Sequence, residues 1–98
     1  MAQYQVYRLS GGQLVLDLQS DLIDTGSRVV APLYPVGRGP KPLTRLEPIL
    51  PIEGRDHVLH TAELAALPAA SLRTPALADL SAHDYDIRRA LDMLFTGF

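Results

Sequence analysis

The sequence predicts a β-rich α+β domain with a C-terminal helix, and three stretches carry that expectation. Leu14, Leu16 and Leu18 alternate with Val15, Asp17 and Gln19 behind a Gly11-Gly12 turn, the period-two pattern of a strand with one buried face. Ile49-Leu50-Pro51-Ile52 and His57-Val58-Leu59-His60 flank the turn formers Glu53-Gly54-Arg55-Asp56, which reads as a second hairpin. Ile87, Ala90, Leu91, Leu94 and Phe95 recur at helical spacing and form one apolar stripe near the end of the chain.

Taken in order, Gln3 to Leu9 mixes polar and apolar residues without a helical stripe and supplies the first strand of a hairpin. The leucine face of the second strand points inward and the Val15/Asp17/Gln19 face outward, which makes Asp17 a solvated strand residue. Ser20 to Ser27 is rich in turn formers and connects to a strand at Arg28-Val29-Val30-Ala31. Pro32 lacks an N–H, so that strand is expected at an edge or to end there. Pro35 to Pro51 is mostly a long loop carrying Arg38, Lys41 and Arg45, charges that are either solvated or meet an acidic partner. Thr61 is placed to cap a helical turn through Ala66 that stops before Pro68. One further short strand is expected between Ala69 and Leu80.

Ser81 is the expected N-cap of the terminal helix, with Asp84 reaching back as in a capping box and the helix beginning near Ala82. Asp84 precedes Arg88, and Asp86 precedes Arg89, in the favoured acid-first order. The stripe is complete at Phe95. Thr96, Gly97 and Phe98 therefore read either as a frayed terminus or as an end kept free for a partner.

Ninety-eight residues make a single domain spanning 1–98, with 47% hydrophobic and 20% charged residues, as in ordinary soluble proteins. A net charge of −2 provides no field for generic nucleic-acid binding. The absence of cysteine excludes disulfides and thiolate chemistry and fits the cytoplasm. Apolar runs are interrupted well before the roughly 18 residues that a membrane span requires. His57 and His60 are three apart on a strand and face opposite sides, so they do not share a metal, and no cofactor is expected. An acid–base site would need these histidines, Arg55 and Asp56 to converge with Asp17, Asp21 or Asp24, which spacing does not dictate. There is no phosphate-binding glycine loop or nucleophile elbow. The residues favour binding over catalysis.

Two separated stretches resemble the CcdB family of bacterial toxin–antitoxin toxins. Leu16-Asp17-Leu18-Gln19-Ser20-Asp21-Leu22-Ile23-Asp24-Thr25, followed by Arg28-Val29-Val30 and Pro32-Leu33, is similar to the family's V-D-V-Q-S-D-I-I-D-T with its following arginine and proline. Ala78-Asp79-Leu80-Ser81, Asp86-Ile87, Leu94-Phe95 and Gly97 match the spacing of its A-D-L-S…D-I…M-F-W-G-I ending, and Tyr4-Gln5-Val6-Tyr7 resembles its F-x-V-Y opening. The stretch from Val36 to Glu47 matches poorly.

The resemblance implies a twisted antiparallel sheet with a smaller second sheet, of the SH3-like barrel type that CcdB and MazF toxins share, and a helix packed on top. It implies a cytoplasmic homodimer that catalyses nothing. Such a dimer enters the A subunit of DNA gyrase, a type II topoisomerase, and traps the gyrase–DNA cleavage complex, so DNA is met only through gyrase or with the antitoxin at the operator. A CcdA-type antitoxin with a disordered tail releases gyrase and helps repress transcription of the operon, in systems associated with plasmid maintenance. Carried over by position, gyrase contacts are Leu22, Ile23, Asp92, Thr96, Gly97 and Phe98, and antitoxin contacts are Asp17, Gln19, Ser20 and Asp21. Thr96 departs from the family's tryptophan, whose π-face can stack on an arginine for roughly 0.5–2 kcal/mol. Two alternatives accompany this reading. One is a relative that binds antitoxin but poisons gyrase weakly or not at all; the other is a MazF-like endoribonuclease using Arg28 with a nearby acid or hydroxyl.

Overall fold

The computed structural model describes residues 2–38, 41–43 and 45–97. Among the described residues seven strands, β1 (Gln5–Arg8), β2 (Leu14–Asp17), β3 (Ser27–Pro35), β4 (Ile49–Ile52), β5 (Arg55–Leu59), β6 (Ala65–Pro68) and β7 (Ala78–Asp79), precede helix α1 (Asp84–Thr96). All neighbouring strands are antiparallel and run in the order β4-β5-β3-β2-β1-β7, with β6 branching from β3. The smaller second sheet expected from the resemblance is not separate: β4 and β5 continue the same sheet, joined to it through β3. Both expected hairpins are present. The second turns on Glu53 (φ 51°) and Gly54 (φ 79°), the two successive left-handed residues that a tight two-residue hairpin demands.

β3 holds the sheet together because it has different partners along its length. Ser27–Val30 pair with β6, Leu33–Pro35 pair with β5, and Val30–Leu33 pair with β2 on the other side. Pro32 therefore lies inside a central strand, contrary to the expectation of an edge or an end. Its carbonyl accepts from the His60 N–H at 2.9 Å. The N–H and C=O of one strand residue project to the same side, so the donor that proline lacks faces the place where β5 and β6 part and no acceptor is left waiting.

The strand β6 corrects two further expectations. Thr61–Glu63 forms one 3-10 turn, and the chain is extended again from Ala65, where a helical turn was expected to run through Ala66. Residues 27–30 of β3 need a partner for their outer edge, and this segment supplies it. Together with the 3-10 turn Ala69–Leu72, β6 covers the second face of the sheet. One core, on the inner face, gathers Val6, Leu16, Leu33, Leu50, Leu59 and Ile87; a second, on the opposite face, gathers Tyr7, Val15, Val30 and Leu72. Val15 and Asp17 are consequently buried, not outward-facing as the leucine alternation suggests.

At the start of the helix, Ser81 does not act as the cap. Ser81–His83 is a 3-10 turn, and the Asp79 carboxylate accepts the Ser81 N–H at 2.8 Å. Hydrogen bonding to Ser81 holds the Asp79 carboxyl below its usual range. Asp84 instead reaches Arg88 at 3.3 Å, as its spacing predicts. Ile87 and Ala90 are buried and Leu91 and Leu94 half-buried, but Phe95 is 71% exposed. On an ideal helix Phe95 lies about 80° around from Ile87, at the margin of the stripe. Among the described residues, no helix is long and apolar enough to cross a membrane.

Tyr4 joins the helix region to the sheet. Its N–H donates to the Asp17 carbonyl at 2.6 Å and its carbonyl accepts from Leu80 at 2.8 Å, which holds it in the left-handed region at φ 66°. Burial, reinforced by a hydrogen bond to the Asp84 carboxylate, pushes its phenol up from 10.0 to about 12. The phenol thus ionises less readily folded than unfolded, so its contribution to stability is complete below pH 10 and lost as the pH rises towards 12. Urea unfolding followed from pH 8 to 12 should show this loss. Tyr4→Phe should flatten the alkaline decline without abolishing it, because burial raises Tyr7 as well.

Candidate functional site: loop 19–26 and the helix terminus

Arg28 on β3 and Asp17 at the end of β2 lie where the two strands diverge into the 19–26 loop. The Arg28 Nε donates to Asp17 Oδ2 at 2.9 Å, while Nη2 donates to the Gln19 carbonyl at 2.9 Å and to Asp21 Oδ1 at 3.2 Å. Asp17 Oδ1 in turn accepts the Gln19 N–H at 3.1 Å. Burial opposes the guanidinium charge, but the hydrogen bonds and charges of Asp17 and Asp21 outweigh it and hold Arg28 above its ordinary value. The expectation of a solvated Asp17 is therefore overturned: its side chain is 0% exposed. The Arg28 guanidinium bonded to it supplies the counter-charge and donor that a covered carboxyl group requires.

The other three residues proposed for antitoxin contact shape the same loop. Gln19 Oε1 accepts from the Val29 N–H at 3.0 Å and its Nε2 donates to the Ile23 carbonyl at 2.7 Å. Ser20 Oγ accepts the Leu22 N–H at 3.2 Å, and Asp21 Oδ1 accepts the Gln3 N–H at 2.9 Å. Asp17, Gln19, Ser20 and Asp21 thus form an internally bonded scaffold. At its tip Leu22 is 92% and Ile23 is 52% exposed, so the loop presents two aliphatic side chains to solvent.

The remaining candidates sit on the last turn of α1. Asp92 and Thr96 are exposed, and Thr96 Oγ1 donates to the Asp92 carbonyl at 2.6 Å. Gly97 stops the helix in the left-handed conformation (φ 82°), its N–H bonded to the Met93 carbonyl at 2.9 Å. Nothing packs where its Cβ would be, so glycine is required for the turn and not for space. Phe98 lies outside the described residues.

A cluster that the sequence does not announce surrounds His60. Its Nδ1 lies 3.1 Å from Glu47 Oε2 and 3.2 Å from Glu63 Oε2, and its ring meets Tyr34 edge-on at 4.6 Å. Glu47 Oε1 accepts the Leu43 N–H at 2.8 Å, so this cluster fastens the end of the 36–48 loop to β5. Glu63 stands three residues after His60 and was legible as a neighbour; Glu47 is brought in by a loop without periodicity. His57 is also buried, with Nδ1 3.0 Å from the Arg55 carbonyl. The acids Asp17 and Asp21 converge on Arg28 and not on either histidine, so the acid–base constellation considered from sequence does not assemble. Among the described residues, no group of three or more histidines and acids is arranged to hold a metal ion.

The scaffold makes a sharp contrast between two acids that contact the same arginine. Asp17→Asn leaves a buried guanidinium without its main counter-charge and should cost about 3 kcal/mol in urea unfolding. Asp21→Asn, at the half-exposed end of the network, should cost less than about 1 kcal/mol.

The family described as CcdB protein matches residues 3–97. Among solved structures, an endoribonuclease from a mycobacterial species is similar with a TM-score of 0.77 at 16% identity, over 96% of this chain and 89% of that one. MazE-MazF (Form II) from Deinococcus radiodurans is similar with a TM-score of 0.74 at 22% identity, over 98% of this chain and 95% of that one. At such identities these structures speak for the fold, a curled antiparallel sheet with a C-terminal helix of the CcdB/MazF type. With a family match running almost from end to end over that fold, the chain belongs to the CcdB family of toxin–antitoxin toxins.

Proposed function

We propose that the chain is a non-catalytic inhibitor of DNA gyrase, acting as a symmetric homodimer and released by a CcdA-type antitoxin. The observation that carries this reading is the end of α1, where Phe95 and Thr96 stand exposed and Gly97 turns the chain out of the helix. These residues are not needed for the core and are free to meet the gyrase A subunit, with Leu22 and Ile23 as a second exposed contact. A homodimer brings two such ends together and shelters Phe95. The negative net charge fits a protein that meets DNA only through gyrase, which acts in the cytoplasm.

The alternative, an endoribonuclease, draws on the mycobacterial neighbour of that name and would employ Arg28 at a phosphate. The bonding of Arg28 speaks against it. Both Nε and Nη2 are engaged by Asp17, Asp21 and the Gln19 carbonyl, and the guanidinium is almost fully covered. An arginine that stabilises a transition-state phosphate must present its donors to the substrate.

Deletion of residues 96–98 should leave the thermal midpoint nearly unchanged and abolish accumulation of the gyrase–DNA cleavage complex. Thr96→Trp should increase that accumulation, since it restores an aromatic face for stacking. Equal trapping by truncated and full-length protein would refute the terminal mechanism. Failure of both the native chain and Thr96→Trp to trap gyrase, with antitoxin binding retained, would favour the non-poisoning reading.

A further inference from the structure

Between the β1–β2 turn and the β4–β5 turn lies a cavity of about 290 Å³. The strand register accounts for its lining. Arg8 stands opposite Leu14, Leu14 opposite Leu33, Pro35 opposite His57 and Ile52 opposite Arg55, and residues paired across a ladder or two apart along a strand share one face. Leu16, Leu50 and Leu59 fill the same face farther in as part of the inner core. At this end the face turns basic, with Arg8, Arg55 and His57 in place of leucines. Among the described residues nothing from the 19–26 loop or α1 lines the cavity, so it is distinct from the surfaces proposed to meet gyrase.

His57 is what sets this end of the sheet apart. The residue is 5% exposed, and its Nδ1 lies 3.0 Å from the Arg55 carbonyl. A carbonyl only accepts, so Nδ1 carries a hydrogen and the ring is held in one orientation. Its Nε2 makes no hydrogen bond among the described residues, yet it is not sealed away from solvent as the Nε2 of His60 is. A fixed, nearly buried ring thus offers a free nitrogen to the cavity it lines. The exposed Arg8 and Arg55 stand around it; Glu53 is the one carboxylate of the lining and Tyr34 its one phenol. The wall is fixed by Gln13, whose Nε2 donates to the Leu14 and Leu33 carbonyls at 2.9 Å each.

We propose that this cavity binds a small phosphate monoester, with the phosphate oxygens on Arg8 and Arg55, its proton shared with His57 Nε2, and its organic group against Leu14, Leu33 and Pro35. Two guanidiniums against one carboxylate leave the lining positive on a protein of net charge −2, and guanidinium donors match phosphate oxygens in pairs. The free Nε2 chooses among anions. With Nδ1 donating to a carbonyl, Nε2 has a lone pair to satisfy, so the anion that fits must bring a proton or let the ring take one up. A phosphate monoester exchanges its second proton at about pH 6 and does this near neutrality. A phosphodiester has no such proton, which disfavours the backbone of a nucleic acid. A carboxylate also lacks one near neutrality and has two oxygens to divide among three partners. The volume is at the lower limit of ordinary ligand cavities, about 300 Å³, and suits a small molecule.

The test titrates the full chain with phenyl phosphate, beside methyl phenyl phosphate as the diester and benzoate as the carboxylate. Phenyl phosphate should bind saturably and more tightly than either control, with an affinity that rises from about pH 8 to about pH 6 as its monoanion accumulates. Binding should move the Nε2 resonance of His57 and leave those of His60 and His83 in place. Arg8→Gln combined with Arg55→Gln should weaken binding at least tenfold, and Glu53→Gln should tighten it. All three side chains are exposed, so the thermal midpoint should not change. Absence of binding at millimolar phenyl phosphate, an affinity indifferent to the two arginines, or a diester bound as tightly as the monoester would overturn the proposal. An octaribonucleotide without a terminal phosphate that displaced phenyl phosphate at lower concentration would also overturn it, assigning the cavity to a nucleic-acid backbone.

Discussion

Asp17 and Arg28 come from adjacent strands and meet, at 2.9 Å, where those strands part. The acid is buried because a segment remote in sequence, 65–72, covers the face on which it sits, and the arginine makes that burial tolerable. A guanidinium has donors in fixed directions, so once Nε is held by Asp17 the position of Nη2 is set. Nη2 then fixes the Gln19 carbonyl and Asp21, and through them the path of the loop. The exposure of Leu22 at the tip is thus a consequence of charge pairing at the base.

What was legible in the sequence is what depends on near neighbours. The leucines at 14, 16 and 18, the turn at Glu53-Gly54 and the stripe from Ile87 to Leu94 each encode their conformation within a few residues. β6 does not: Ala-Ala-Leu-Pro has no distinguishing alternation and is extended because β3 offers it an edge. Once β6 is missed, the second core and the burial of Asp17 are missed with it. Pro32 misleads for a related reason, since what a proline costs depends on which neighbour its missing N–H faces. The exposure of the helix terminus was legible from the completed stripe, although Phe95 falls on the solvent side of it. The clasp at His60 was not, because Glu47 arrives from a loop.

Rigid strands and internally bonded loops present the exposed groups of this protein. The helix terminus ends in a left-handed glycine, the 19–26 loop is tied through side chains to β3, and Glu47 is fastened to His60 and Leu43. Surfaces held in this way lose little conformational freedom on meeting a partner, which favours binding by preorganisation. The engagement of Arg28 within the scaffold fits the same pattern: its Nε and Nη2 donors are taken up in shaping the loop.

Pro32 guards the alignment of the whole sheet. Shifting β3 by one residue against its neighbours turns the proline's ring nitrogen towards β2, where a ladder carbonyl loses its donor. Shifting it by two carries the proline away from the parting of β5 and β6 and opposite a paired stretch of one or the other, with the same loss. Only the native alignment places the missing donor where no acceptor awaits it. A residue that weakens most central strands here penalises every slipped pairing of this one, which is useful to a strand on which two wings depend.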